Sequence, residues 1–191
     1  MQDRTETNFA ADYLHHLADL LPKLDPDAVQ KAVDWTAEAR DAGRTVYSCG
    51  NGGSAAIASQ MVVDIVKGAV REGKPRPKMM CLGDSIATIT AYANDMSYDD
   101  VFVEPLRNFA ARDDVLIAIS GSGNSRNVLK AVEYANSIGC RTIGLTSADG
   151  GSLRETAHLP LLVPSRHMGR LEDCFFVMTH ILSYALIEGV V

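Results

Sequence analysis

The sequence predicts an α/β domain in which a doubly wound parallel sheet follows a helical N-terminal extension. Three observations lead there. Short, uninterrupted apolar runs alternate with segments of helical periodicity, as expected of parallel strands covered on both faces. Two bends rich in glycine and serine each stand between such a run and a helix. The first 43 residues carry helical periodicity and no strand-like run.

In order along the chain, "FAADYLHHLADLLPKL" repeats apolar residues at three- and four-residue spacing, which predicts a helix stopped by Pro22. In "DPDAVQKAVDWTAEARDAG", Asp25 is the expected N-cap, Pro26 fits the first helical turn and Gly43 terminates. "RTVYSCG" is a strand, leading through "NGG" into a helix over Ser54–Val66. "PKMMCLG" reads as a strand and "SIATITAYA" as a helix. "YDDVFVEPLRNFA" is a helical stretch with Pro105 near its middle or at a break. "DVLIAIS" is the clearest strand; the bend "SGSGNS" and the helix "NVLKAVEYANSIG" follow. "RTIGLTS" and "LPLLVP" complete the strands, and a long helix runs from about Arg170 to Glu188. No linker, repeat or low-complexity tract interrupts this order, so residues 1–191 read as one domain, with helices in 1–43 and the α/β core in 44–191. The apolar stripe of the first helices exceeds what one small domain needs, which points to association between subunits.

Composition narrows the function. The 191 residues are 47% hydrophobic and 22% charged, ordinary for a folded chain. A net charge of −6 without a Lys/Arg cluster argues against nucleic acid as a partner. No apolar run reaches the roughly 20 residues of a membrane span. The N-terminus is polar and then amphipathic, unlike a signal peptide, so a cytoplasmic location is expected. Cys49, Cys81, Cys140 and Cys174 are scattered in apolar surroundings without metal-type spacing, and read as buried free thiols.

The two bends, "SCGNGGSA" and "AISGSGNSRN", share the layout strand, Gly/Ser loop, helix. In an open parallel sheet both would lie at the carboxyl edge of the strands, where ligands bind. Each following helix offers unpaired N–H groups and a positive dipole end to an anion. Ser54, Ser120, Ser122 and Ser125 add hydroxyls. Neither loop is a dinucleotide fingerprint or a P-loop. The alternative is a pair of tight turns with capping serines; two in one domain favour an anion or sugar-phosphate site.

Several ionisable groups stand in apolar helices. Gln60 and Asp64 are i and i+4 after the first bend, and Glu172 and His180 are i and i+8 on the last helix. Such groups are costly in apolar surroundings unless paired or functional. Periodicity leaves two readings open: a bond between helices, such as His180 to Asp64, or a functional set. Asn94, Asp95, Asp99 and Asp100 form either a helix cap or an acidic lip. His15, His16, His158 and His167 read as structural or surface groups, and Lys67, Arg71 and Arg166 as cations the sequence cannot aim.

Taken together and in order, "CGNGGSA", "AISGSGNSRNVLKAVEYA", "LTSADGG" and "VPSRHMGRLED" resemble the sugar isomerase (SIS) domain family, in particular its phosphoheptose isomerase branch. The resemblance covers nearly the whole chain. It implies a flavodoxin-like three-layer sandwich and a homotetramer with active sites between subunits, made in part by the first helices. It implies aldose–ketose isomerisation of sedoheptulose 7-phosphate or a similar long-chain sugar phosphate through an enediol. Ser54, Ser120, Ser122 and Ser125, with Asn51 and Gly53, would form the phosphate pocket, and Asn94 and Asp95 would line the sugar channel. Asp64 would be the base and His180 its acid/base partner, at the sugar's reacting end. Gln60, Asp64, Glu172 and His180 fall where the branch commonly binds zinc, so zinc or another divalent metal is expected.

The chain departs from the branch at these positions. Asp64 stands for a glutamate, Gln60 for a histidine, Glu172 for a glutamine and Gly121 for a threonine; a customary arginine has only Lys67 as a nearby counterpart. Two outcomes follow: a retuned site that still turns over sugar phosphate, or a module that binds sugar phosphate or assembles with protein without catalysis. An isomerase for a different phosphosugar is the third.

Overall fold

The computed structural model describes residues 8–191. The polar lead-in at 1–7 lies outside the described residues. Helices α1 (Phe9–Ala18) and α2 (Pro26–Asp41) precede β1 (Thr45–Gly50), α3 (Gly53–Val62), β2 (Lys78–Cys81), α4 (Ile86–Asp95) and α5 (Val103–Phe109). Then come β3 (Val115–Ile119), α6 (Arg126–Ser137), β4 (Arg141–Ser147), α7 (Gly151–Thr156), β5 (Leu159–Val163) and α8 (Met168–Glu188).

The five strands form one parallel sheet in the order β2-β1-β3-β4-β5. The apolar run of β3 explains itself in this setting. Val115, Ile117 and Ile119 pack with α2, α3 and α8, whereas Leu116 and Ala118 pack with α5, α6 and α7. A central strand buried on both faces has no polar side to show. Because β1 lies between β2 and β3, the chain leaves β1 and β3 toward opposite faces of the sheet. A crevice opens between their carboxyl ends, the usual place for a ligand in this topology.

Local signals set most boundaries. Asp25 Oδ1 accepts from Asp27 N and Ala28 N at 3.0 and 3.1 Å, and Gly43 leaves α2 at φ +66°. The first helix ends sooner than its periodicity suggests, at Ala18, and Pro22 falls within a short 3₁₀ turn over Leu21–Lys23. Pro22 has no N–H for the Ala18 carbonyl and its ring would crowd that oxygen, which fixes the stop there. Pro105 takes the third position of α5, where its missing N–H costs no helical bond. The helix after the first bend is α-helical only to Val62; Val63–Gly68 continue as a π-helix that carries Asp64. Short α7, absent from the periodicity, starts at Gly150 and Gly151, both at positive φ. No described helix is long and apolar enough to cross a membrane.

Candidate active site

The two bends lie side by side at the β1/β3 crevice. Between them is a cavity of about 280 Å³ lined by Asn51 and Ser54 from the first bend and by Ser120, Ser122 and Ser125 from the second, closed by Met168 and Glu172 of α8. The first bend needs its glycines. Gly52 is at φ +56°, and a Cβ on Gly50 would lie 2.8 Å from the Ser54 backbone. A Cβ on Gly53 would strike the Glu172 carboxyl group, so absence of a side chain at Gly53 lets α8 bring that carboxylate onto the start of α3.

The second bend is braced from behind. Ser120 Oγ donates to Ser125 Oγ at 3.1 Å, and Asn124 N donates to Ser122 Oγ at 3.2 Å. Leu153 N, in α7, donates to Gly123 O at 2.9 Å, and Ser152 N donates to Asn124 Oδ1 at 3.1 Å. The short helix invisible to periodicity therefore holds the serine loop. Asn51 is held as firmly: it exchanges side-chain hydrogen bonds with buried Asn127 at 3.0 and 2.9 Å and accepts from Tyr98 Oη at 2.9 Å. Neither Asn127 nor Tyr98 stood out in the sequence. An amide at the second position of the helix after a Gly/Ser loop was the available signal for Asn127; Tyr98, on a connecting turn, gave none.

Asp64, Gln60 and His180 form a second cluster. Gln60 Nε2 donates to Asp64 Oδ1 at 3.0 Å, and Asp64 Oδ2, buried and without a hydrogen-bond partner, faces His180 Nε2 at 3.7 Å. The π-helical segment gives Asp64 this setting, and such wide turns recur at functional sites. Phe176 and Tyr184 flank the imidazole at centroid distances of 5.9 and 6.0 Å.

The structure separates what the resemblance joined. Asp64 is ten residues beyond Ser54, roughly 15 Å along the helix axis at 1.5 Å per residue. Glu172 belongs to the serine cavity rather than to the Asp64–His180 cluster, and among the described residues no three His, Cys, Asp or Glu side chains converge as a metal site. Gln60 turns its amide N–H toward Asp64. One chain thus supplies a carboxylate and an imidazole, short of the three or four donors of a protein zinc site. The four-residue set does not, within a single chain, fit the metal.

Asn94 and Asp95 are exposed at the end of α4, hydrogen-bonded to each other at 2.7 Å, and do not line the cavity. Asp99 and Asp100 instead reach α6, pairing with Arg126 and Lys130 at 2.8 and 2.9 Å. Among the described residues no cation lines the serine cavity: Arg71 donates to Ile187 O at 2.8 Å, Arg166 pairs with Asp149 at 2.8 Å, and Lys67 is exposed. The histidines outside α8 are structural or at the surface, His158 Nδ1 accepting from Thr142 N at 3.3 Å and His167 capping α8. All four cysteines are free and buried; burial raises the Cys81 and Cys140 thiols to about 11 and pushes Cys49 and Cys174 upward as well.

A parallel sheet with two glycine–serine loops at its switch point defines a doubly wound α/β protein with its cavity between the carboxyl ends of β1 and β3. The SIS domain family matches residues 12–147, and the chain belongs to that family, in its phosphoheptose isomerase branch. It is 39% identical over 155 residues to a phosphoheptose isomerase of Citrifermentans bemidjiense, covering 81% of this chain and 80% of the relative. It is 36% identical over 173 residues to that of Rhodospirillum rubrum, covering 91% and 89%. The structure of a phosphoheptose isomerase from Francisella tularensis superposes with a TM-score of 0.86 at 27% identity, over 94% of this chain and 96% of that one.

Proposed function

We propose that the protein is a phosphosugar aldose–ketose isomerase that acts on sedoheptulose 7-phosphate or a similar long-chain sugar phosphate in the cytoplasm. The observation that carries the mechanism is Asp64 Oδ2, buried, unpartnered and turned toward His180. In a ketose, the Asp64 carboxylate takes a proton from C1 while the imidazole of His180 delivers one to O2, giving the enediol. The imidazole then accepts the O1 proton as Asp64 returns its proton to C2, leaving the aldose. The Gln60 amide holds the other carboxylate oxygen and so aims Oδ2. The phosphate is anchored by the serine loop, whose hydroxyls and free N–H groups suit an anion.

A seven-carbon chain is too short to join a phosphate held in the serine loop to Asp64, which lies roughly 15 Å along the helix beyond Ser54 in the wall of the same cavity. We therefore assign the two halves of each active site to different copies of the chain in a homotetramer. Exposed apolar groups around the pair support that assembly: Val63, Ile181 and Tyr184 are 56%, 45% and 49% accessible, and Phe9 and Leu14 of α1 are 71% and 66%. A groove of about 400 Å³ between the turn at Leu21–Leu24, α2 and α8 continues this surface. The same arrangement would supply any further donors for zinc or another divalent ion on Asp64 and His180. Incubating the protein with sedoheptulose 7-phosphate and following the aldose product is the test. Turnover lost in both Asp64→Asn and His180→Ala supports the assignment; unchanged turnover in both removes it.

A further inference from the structure

Among the described residues the serine cavity has no lysine or arginine in its lining but does have a carboxylate, Glu172, seated against Gly53 at the first turn of α3. A carboxylate at a helix N-terminus takes the place an anionic ligand would take, and it uses the favourable end of the dipole. The two loops are therefore not equivalent. At the α3 end, Glu172 already supplies the negative charge. At the other end, Ser120, Ser122 and Ser125 line the cavity with hydroxyls, and the one carboxylate near the start of α6, Asp99, is outside the lining and paired with Arg126.

We infer that Glu172 is a specificity-determining residue that gives the cavity a polarity: phosphate is held at the β3–α6 loop, and the α3 end accepts sugar hydroxyls. Phosphate at the α3 end meets a like charge, whereas a polyol presents O–H donors to the same carboxylate and an oxygen to the remaining N–H of the Asn51 amide. Glu172 thus selects a polyol phosphate over free phosphate, by opposing the wrong ligand as well as by binding the right one. The inference rests on reading the serine cavity as the phosphate site and is independent of where the proton-transferring pair acts.

The test is calorimetric binding of two probes, inorganic phosphate and glucitol 6-phosphate, a polyol phosphate with no carbonyl to isomerise. Glu172→Gln keeps size and shape. It should tighten inorganic phosphate and leave glucitol 6-phosphate unchanged or weaker, so that discrimination between them falls about tenfold, the order expected from removing one nearby like charge. A merely structural residue would not tighten either ligand when replaced. Ser122→Ala should weaken both probes. Unchanged discrimination in Glu172→Gln, with Ser122→Ala weakening both, overturns the role of Glu172 alone. Ser122→Ala affecting neither probe, or no binding of either probe to the parent protein, overturns the phosphate site and the inference with it.

Discussion

Gln60 donates its side-chain amide to Asp64 Oδ1 at 3.0 Å, one helical turn away. The bond leaves Oδ2 as the free oxygen, and His180 is what that oxygen faces. Gln60 therefore acts through Asp64 as a positioning residue. Gln60→Ala removes the amide while leaving the proton-transferring groups in place. The expected result is a fall in kcat of about tenfold, below the roughly 10²–10⁴ that a general base itself contributes because the base remains, with KM little changed. Gln60→Glu places a second carboxylate beside Asp64 and should depress kcat further. Steady-state kinetics on the three proteins checks both. A rise in KM at constant kcat would assign Gln60 to substrate binding instead.

Gly121 stands where the resemblance expects a threonine. A Cβ there would lie 2.9 Å from both Met168 Sδ and Leu171 Cδ2. The room of the missing side chain has been filled from α8. Gly121→Thr is thus expected to destabilise the fold by about 1–3 kcal/mol through overpacking. Met168→Ala should relieve part of that cost, because Met168 is half exposed and its end is flexible. Denaturant unfolding of the two single variants and the double variant measures the coupling. Additive effects would show that the two positions are independent.

How much of this could be read in the sequence differs between its parts. All five strands were legible because each is buried on at least one face and four to seven residues long. The serine cavity was legible for the same reason: strand, bend and helix follow in sequence, and the sheet alone fixes where they meet. The relation of Glu172 to Gly53 was not, because it depends on how α8 packs across α3, a contact between residues more than a hundred positions apart. Periodicity put Gln60 with Asp64 and Glu172 with His180 on shared faces, but a face does not say which turn meets which. The π-helical turn around Asp64 left no mark in the apolar pattern. For Asn94 and Asp95 the motif gave residue types but not their setting: α4 ends with both exposed, outside the serine cavity of the single chain.

The four thiols give a prediction with a definite sign. Burial raises Cys81 and Cys140 to about 11. A group whose value is raised by folding stays protonated in the native chain while its unfolded counterpart ionises. Stability from this source is fully present below the unfolded thiol value, near 8.5, and is lost as pH rises toward 11. Each such group contributes a slope of up to about 1.4 kcal/mol per pH unit in that window. Denaturation midpoints should fall between pH 9 and 11, and fall less in Cys140→Ser. At pH 8 an aromatic disulfide reagent should label none of the four in the native protein and all of them in guanidinium. Rapid labelling of the native chain would contradict the buried placement.

Asn127 is 2% exposed and satisfies two partners at once, exchanging bonds with Asn51 and accepting from Val128 N at 2.9 Å. Tyr98, by contrast, is 54% exposed and makes one bond to the same Asn51. The two variants should therefore separate stability from binding. Asn127→Ala leaves the buried Val128 N–H without its side-chain acceptor and the half-buried Asn51 amide with Tyr98 alone, at a cost of about 1–3 kcal/mol. Tyr98→Phe gives up a single exposed hydrogen bond, and its stability should change by about 0.5–1 kcal/mol or less. Both free Asn51, which lines the cavity, so both should raise the KM for sugar phosphate. Asn127→Ala should do so more, since Asn51 then keeps one partner where Tyr98→Phe leaves it two bonds to Asn127. Thermal unfolding and KM, measured on both variants, decide the point. A KM change in Asn127→Ala no larger than in Tyr98→Phe would mean that the buried amide pair serves the fold alone.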